Sequence, residues 1–249
     1  MKIPKKIFPD RIVDAIVELK YTLNHPYEVS LGMLYSNIDD TYNYSSRPLN
    51  NHKKPVQNSN FAIGEKVEIQ IGIKPIFFNA NIKIEITPDS IIFNCLNDYI
   101  SWEVYSEEIE KFLTQILKDN VIKSFNRIGI RYISHYPELK IFDISKFEFT
   151  FGMPELQSDT FSFNSAYRTN DYRVILNLNN LMSLFSANEN GDLVNIPTSI
   201  IDIDIIKEGF VEVELIKLLE EINIAQRKQK EIFFNLLKDS YLSTLNPEY

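Results

Sequence analysis

The 249 residues include 44% hydrophobic and 24% charged side chains, the profile of a globular chain that buries a core and not of a disordered one. Lys and Arg number 26 against 34 Asp and Glu, a formal net charge of −8, which excludes a protein whose main work is broad phosphate-backbone binding, since that needs clustered cations to displace counterions. A single cysteine, Cys95, excludes a disulfide framework and any zinc site with two sulfur ligands.

Three histidines, His25, His52 and His135, lie far apart, with no second His or carboxylate at metal-motif spacing. The opening Met-Lys-Ile-Pro-Lys-Lys is basic, but Asp10, Arg11, Asp14 and Glu18 interrupt the apolar runs behind it, and nothing approaches the roughly 18 apolar residues of a membrane span. The expected address is the cytoplasm, without a membrane segment.

Alternation with period two dominates the chain. Ala15, Val17, Leu19, Tyr21 and Leu23 fall on one face of a predicted strand, with Glu18, Lys20 and Thr22 on the other. Residues Asn24 to Asn60, rich in Asn, Tyr, Ser and His, show little periodicity and read as a long polar insert whose tyrosines, Tyr27, Tyr35, Tyr42 and Tyr44, suit a partner surface. Phe61 to Lys66 reads as a turn before a strand over Val67 to Ile73. Ile82, Ile84 and Ile86 alternate with Lys83 and Glu85, Thr87-Pro88-Asp89-Ser90 supplies turn chemistry, and Ile91 to Cys95 resumes as a strand, which predicts a hairpin with Cys95 as a small buried hydrophobe.

A helix is expected next, capped by Ser101, with Trp102, Tyr105, Ile109, Phe112, Leu113 and Ile116 at helical spacing. Asp119-Asn120 ends it, and Val121 to Tyr136 reads as a long strand closed by Pro137-Glu138. In the second half, strands are predicted around Phe147, Phe149 and Phe151, around Phe161 and Phe163, over Tyr172 to Leu178, and around Ile201, Ile203 and Ile205. From about Val211 to Leu245 no Pro or Gly interrupts a helical register until Pro247. Its apolar stripe fades over Gln226 to Glu231, so the stretch from Ala225 to Leu237 reads either as a surface for homo-oligomer or partner contacts or as a packed core helix with a solvated middle.

The pattern predicts an α+β protein: two related antiparallel-sheet-plus-helix halves, residues 1–137 with the insert at 24–60 and residues 138–249, packed into one unit with a long C-terminal helix. No glycine-rich phosphate loop, nucleophile elbow or zinc-protease motif is present, so neither a catalytic set, a metal nor a cofactor is expected.

Two constellations stand out. Asp202 and Asp204, two apart on a strand, share a face and could hold a cation or form an acid–base pair, with Asp192, Glu208 or Glu212 as the third carboxylate. Arg127 and Arg131 flank Gly129 on another strand and read either as an anion seat with a bare backbone between two guanidinium forks, or as structural partners of Asp202 and Asp204.

Pro9 to Lys20, Tyr99-Ile100-Ser101-Trp102, Phe125-Asn126-Arg127-Ile128-Gly129-Ile130-Arg131-Tyr132-Ile133, Asp202-Ile203-Asp204 with Glu208-Gly209, and Phe233-Phe234 together resemble a sporadically distributed, uncharacterised family of prokaryotic proteins of this length, found in scattered bacteria and archaea. The patchy distribution of that family is similar to that of phage-defence, toxin–antitoxin or immunity components. The expected function is therefore non-enzymatic recognition of a macromolecular partner, another protein, as a sensor or partner subunit of such a system. Two alternatives are an enzyme site built on Asp202, Asp204, Arg127 and Arg131, and a carrier of a small apolar ligand.

Overall fold

The computed structural model describes residues 2–48, 73–96, 98–149, 159–169, 171–187 and 193–249. In chain order the elements are β1 (Ile12–Leu23), α1 (Tyr27–Asn37), β2 (Asn43–Pro48), β3 (Ile73–Phe78), β4 (Ile82–Ile86), β5 (Ser90–Cys95), α2 (Trp102–Ile116), β6 (Ile122–Pro137), α3 (Ile141–Ile144), β7 (Phe161–Thr169), β8 (Tyr172–Ala187), β9 (Leu193–Val211), α4 (Leu215–Leu236) and α5 (Asp239–Leu242). Among the described residues the nine strands form one antiparallel sheet in the order β2-β3-β4-β5-β1-β6-β9-β8-β7. The α+β class expected from the sequence is therefore present. Strands from residues 1–137 and 138–249 share one sheet, joined where β6 hydrogen-bonds β9 from Phe125↔Val211 to Pro137↔Thr198.

The alternation read on the strands assigns the two faces. One face is a row of apolar residues in register: Ile84, Phe93, Val17, Ile130, Ile205 and Val174 sit side by side across six strands. All six belong to a single core that also takes residues from α1, α2, α3, α4 and α5. Removing a side chain of this size from water is worth about 1.5–3 kcal/mol, so this face is the main source of stability.

Helix α2 lies over β1 and β5 because the fully buried Tyr105 hydroxyl donates between the Ala15 carbonyl, at 3.1 Å, and the Phe93 carbonyl, at 2.7 Å. Trp102 Nε1 donates to Asn223 Oδ1 at 2.9 Å and ties α2 to α4. Ser101 stands at the expected cap with φ 74°, but its hydroxyl caps no helix N–H. Bonds from the Glu103 backbone N–H and the Ser101 hydroxyl instead converge on the Glu103 carboxylate and hold it below the usual carboxylate range.

Several expectations change. The insert at 24–60 is not irregular where it is described: it forms α1 and β2, and residues 49–60, with His52, lie outside the described residues, as do Phe61–Lys66 and the expected strand up to residue 72. Phe147 and Phe149 are in no strand, and Phe151 lies outside the described residues. The Phe147 ring instead packs at 4.8 Å from Phe163 and 5.8 Å from Phe161, so aromatic packing consumes an alternation that looked like a strand. The long C-terminal helix stops at Leu236, about 33 Å from its start at 1.5 Å per residue. Leu237 is extended and bridges Ser145, while Lys146 N–H bonds the Leu236 carbonyl, so pairing with the α3 segment interrupts the helix without Pro or Gly.

A candidate recognition face on the sheet

The residues between the core positions point to the opposite face, where β1 supplies Asp14, Ile16, Glu18 and Lys20 and none of them is fully buried. Antiparallel register brings long-range partners together there. Arg131 lies between Ile16 on β1 and Asp204 on β9, and Gly129 between Glu18 and Ile206.

Arg131 is held by a two-pronged bond, Nε to Asp202 Oδ1 at 2.8 Å and an amino nitrogen to Asp202 Oδ2 at 2.7 Å. Asn177 Nδ2 on β8 also donates to Asp202 Oδ2 at 2.9 Å, and Asn164 on β7 donates on to Asn177. The Asp202 side chain is only 8% exposed, yet its oxygens are well supplied with donors. The bond to Asp202 raises the Arg131 pKa further above its ordinary value.

Arg127 turns the other way. Its guanidinium binds Glu18 on β1 and stands 4.0 Å from Asp204. A Cβ placed on Gly129 would lie 3.7 Å from the Arg127 guanidinium and 3.7 Å from Glu18 Cβ. The bare backbone between the two arginines thus forms the floor under the Arg127–Glu18 pair, and the close approach anticipated there is made by the chain's own side chains.

The two aspartates, alike in sequence, differ in surroundings. Burial pushes the Asp204 carboxyl above its usual range, against the pull of Arg127 and Arg131. Of the candidates for a third carboxylate, Asp192 lies outside the described residues, Glu208 sits in register with Arg127, and Glu212 pairs with Lys217 at 2.5 Å beyond the end of β9. Among the described residues no group of three or more His, Cys, Asp or Glu is arranged to hold a metal ion. Two surface cavities of about 500 and 460 Å³ lie along α4, the first lined by Trp102, Asn223 and Gln226 and the second by Tyr172, Lys228 and Glu231, with Ile224 and Arg227 common to both. Neither includes Asp202, Asp204, Arg127 or Arg131.

The four tyrosines separate. Tyr42 is buried edge-on to Phe112 at 5.3 Å and belongs to the core instead of a surface, and the Tyr27 hydroxyl donates to the Ile86 carbonyl at 3.2 Å. Tyr35 and Tyr44 pack edge-on at 5.3 Å and remain about half exposed, on the helix-bearing side, where Tyr44 is in register with Phe77. The α4 stretch proposed for oligomer contacts turns Ala225, Gln226, Gln229, Phe233 and Phe234 into its own chain. Cys95 is half-buried on β5, where burial pushes its thiol up to about 11, an unreactive state at neutral pH.

Sequence reading missed two features. Glu108 on α2 is buried and accepts from Asn79 at 2.7 Å, Lys111 at 3.0 Å and Asn81 at 3.3 Å. Arg168 on β7 and Arg173 on β8 are directly opposite each other, both exposed, with no ion-pair partner among the described residues. They extend the row Glu18, Gly129 and Ile206 across the face opposite the described helices. The hairpin turn between the two arginines was the available signal, since a short turn forces them into register.

No helix of the described chain is long and apolar enough to cross a membrane. No protein-family model matches this chain, and no curated protein matches it.

Proposed function

We propose that this chain is a non-enzymatic binding protein that recognises another protein through the face of its sheet opposite the described helices. The observation that carries the reading is the contrast between Arg127 and Arg131, each bound to a carboxylate, and Arg168 and Arg173, which face each other without one among the described residues. Like charges directly opposite on neighbouring strands are unfavourable, so a partner's acidic side chains would relieve the pair as well as bind it. Side chains locked to one another give a partner a surface that needs little ordering on binding. In a chain of net charge −8 such a local basic end suits an acidic protein surface better than a nucleic-acid backbone.

The same proposal takes its setting, a sensor or partner subunit of a phage-defence or toxin–antitoxin pair, from the family resemblance. It also treats residues 1–137 and 138–249 as related halves, since each contributes antiparallel strands and a helix to the same side of the sheet.

The test is capture from the source cells with wild-type protein and with the double variant Arg168→Glu, Arg173→Glu. The reading expects one acidic protein to co-purify with the wild type, to dissociate as salt rises, and to be lost from the double variant while its circular dichroism is unchanged. Retention by the double variant would contradict it.

One observation favours a second reading, an enzyme site: Asp204 is a desolvated acid beside two guanidinium groups. A hydrolytic activity on phosphate esters that Asp204→Asn abolishes, and that the double arginine variant retains, would establish that reading in place of the first.

A further inference from the structure

A second cluster lies where the segment before β1, the end of β6 and α5 meet. The Arg11 Nε, the Tyr136 hydroxyl and the Tyr241 hydroxyl are each buried, and none makes a well-aligned hydrogen bond in the protein, although Ser134 stands beside the first phenol and the Arg11 guanidinium beside the second. Orphaned buried polar atoms are rare in native structures, and three on three separate segments converge here. The Tyr136 and Tyr241 rings stand edge-on with centroids 6.0 Å apart, and burial raises the pKa of both phenols against a smaller opposing pull from the Arg11 guanidinium.

The three groups are firmly held. Tyr136 is fully buried on β6, and the Arg11 carbonyl accepts from the His135 backbone N–H at 2.9 Å, which pins Arg11 beside it. Arg11 forms no ion pair among the described residues, because the neighbouring Asp10 turns its carboxylate to the Ile12 backbone N–H at 2.9 Å. Burial pushes both phenols above their ordinary pKa, so each keeps its proton at neutral pH and can donate it.

We infer that Arg11, Tyr136 and Tyr241 form a seat for one small monovalent anion, a halide or a single carboxylate group. A fixed cation with two hydroxyl donors matches the chemistry of an anion, and the nearby Asp10 carboxylate is engaged by the Ile12 backbone N–H. An ion there would join the segment before β1 to β6 and α5, and would stabilise the folded chain by mass action. This inference does not depend on the recognition face, which lies on the other side of the sheet.

The experiment is thermal unfolding of the full chain in sodium sulfate at fixed ionic strength, with sodium chloride replacing it in one titration and sodium formate in another. The expected result is a saturable rise in Tm with one or both ions, the stronger response naming a halide or a carboxylate occupant. Arg11→Gln and Tyr241→Phe should each weaken the apparent affinity by about tenfold or more. Tyr241→Phe keeps the ring and serves if Arg11→Gln does not fold. A Tm indifferent to both ions would assign the seat to water, and equal titrations in wild type and Tyr241→Phe would put the ion elsewhere. Either result overturns the inference.

Discussion

The two faces of the sheet are made from alternate residues of the same strands and are held by different physics. On β1, Ala15, Val17 and Leu19 are fully buried, while Asp14, Glu18 and Lys20 between them are only partly covered. The covered face is stabilised by apolar area and packing, which is large and non-directional. The other face is stabilised by named pairs, each small and each dependent on one partner. A substitution on the first should be judged by volume, and on the second by which partner it strands.

The largest effect is expected on the covered face. Phe112 is fully buried between the rings of Tyr42, Phe77 and Phe93, so Phe112→Ala should lose about 3–5 kcal/mol in urea denaturation. A loss below about 1 kcal/mol would mean that α2 is not the lid of the core.

Next comes Asp202. Asp202→Asn leaves Arg131 without its counter-ion and Asn177 facing an amide, but Arg131 is 43% exposed and water offsets part of the cost. The expected loss is about 1–2 kcal/mol, below the range for a fully buried pair. Smaller still is the effect at Gly129. An added methyl meets only ordinary contacts, so Gly129→Ala should change stability by less than about 1 kcal/mol. Gly129→Leu should displace Arg127 from Glu18, and a double-mutant cycle with Glu18→Gln would then show the coupling lost.

The smallest effect is at Asp204 and depends on pH. Burial raises its folded-state pKa above the ordinary 3.8, so its contribution favours folding below pH 3.8 and is lost as pH rises through the folded value. Asp204→Asn should therefore gain on the wild type from acid to neutral pH and end equal or ahead, by less than about 1 kcal/mol. Glu85 should behave oppositely. Burial raises its pKa, but bonds from Lys74 and Lys83 outweigh this and lower it, so its contribution is present above pH 4.5 and is lost as pH falls through the folded value. Stability curves of Asp204→Asn and Glu85→Gln against pH should slope apart relative to the wild type.

Much of the frame was legible in the residues because it is local. The alternation of β1, β4 and β9, the turn at Thr87 to Asp89 and the stripe of α2 each follow from period and turn chemistry within a dozen residues. Partner choice was not legible, because it depends on register between distant strands. Glu18 becomes the partner of Arg127 only because Glu18 lies opposite Gly129, and the difference between Asp202 and Asp204 arises from β8, which brings Asn177 to one and Ile175 to the other. The stop at Leu237 was hidden for the same reason: Ser145, far away in sequence, pairs with it.

On the face opposite the helices Asp202 is held in a two-pronged pair with Arg131, whereas Asp204 has only a 4.0 Å approach from Arg127, whose guanidinium is bound to Glu18. Urea denaturation of Asp202→Asn and Asp204→Asn side by side at pH 7 tests this difference most directly. The account predicts a loss of about 1–2 kcal/mol for the first and none for the second. Equal losses, or a larger loss for Asp204→Asn, would contradict it.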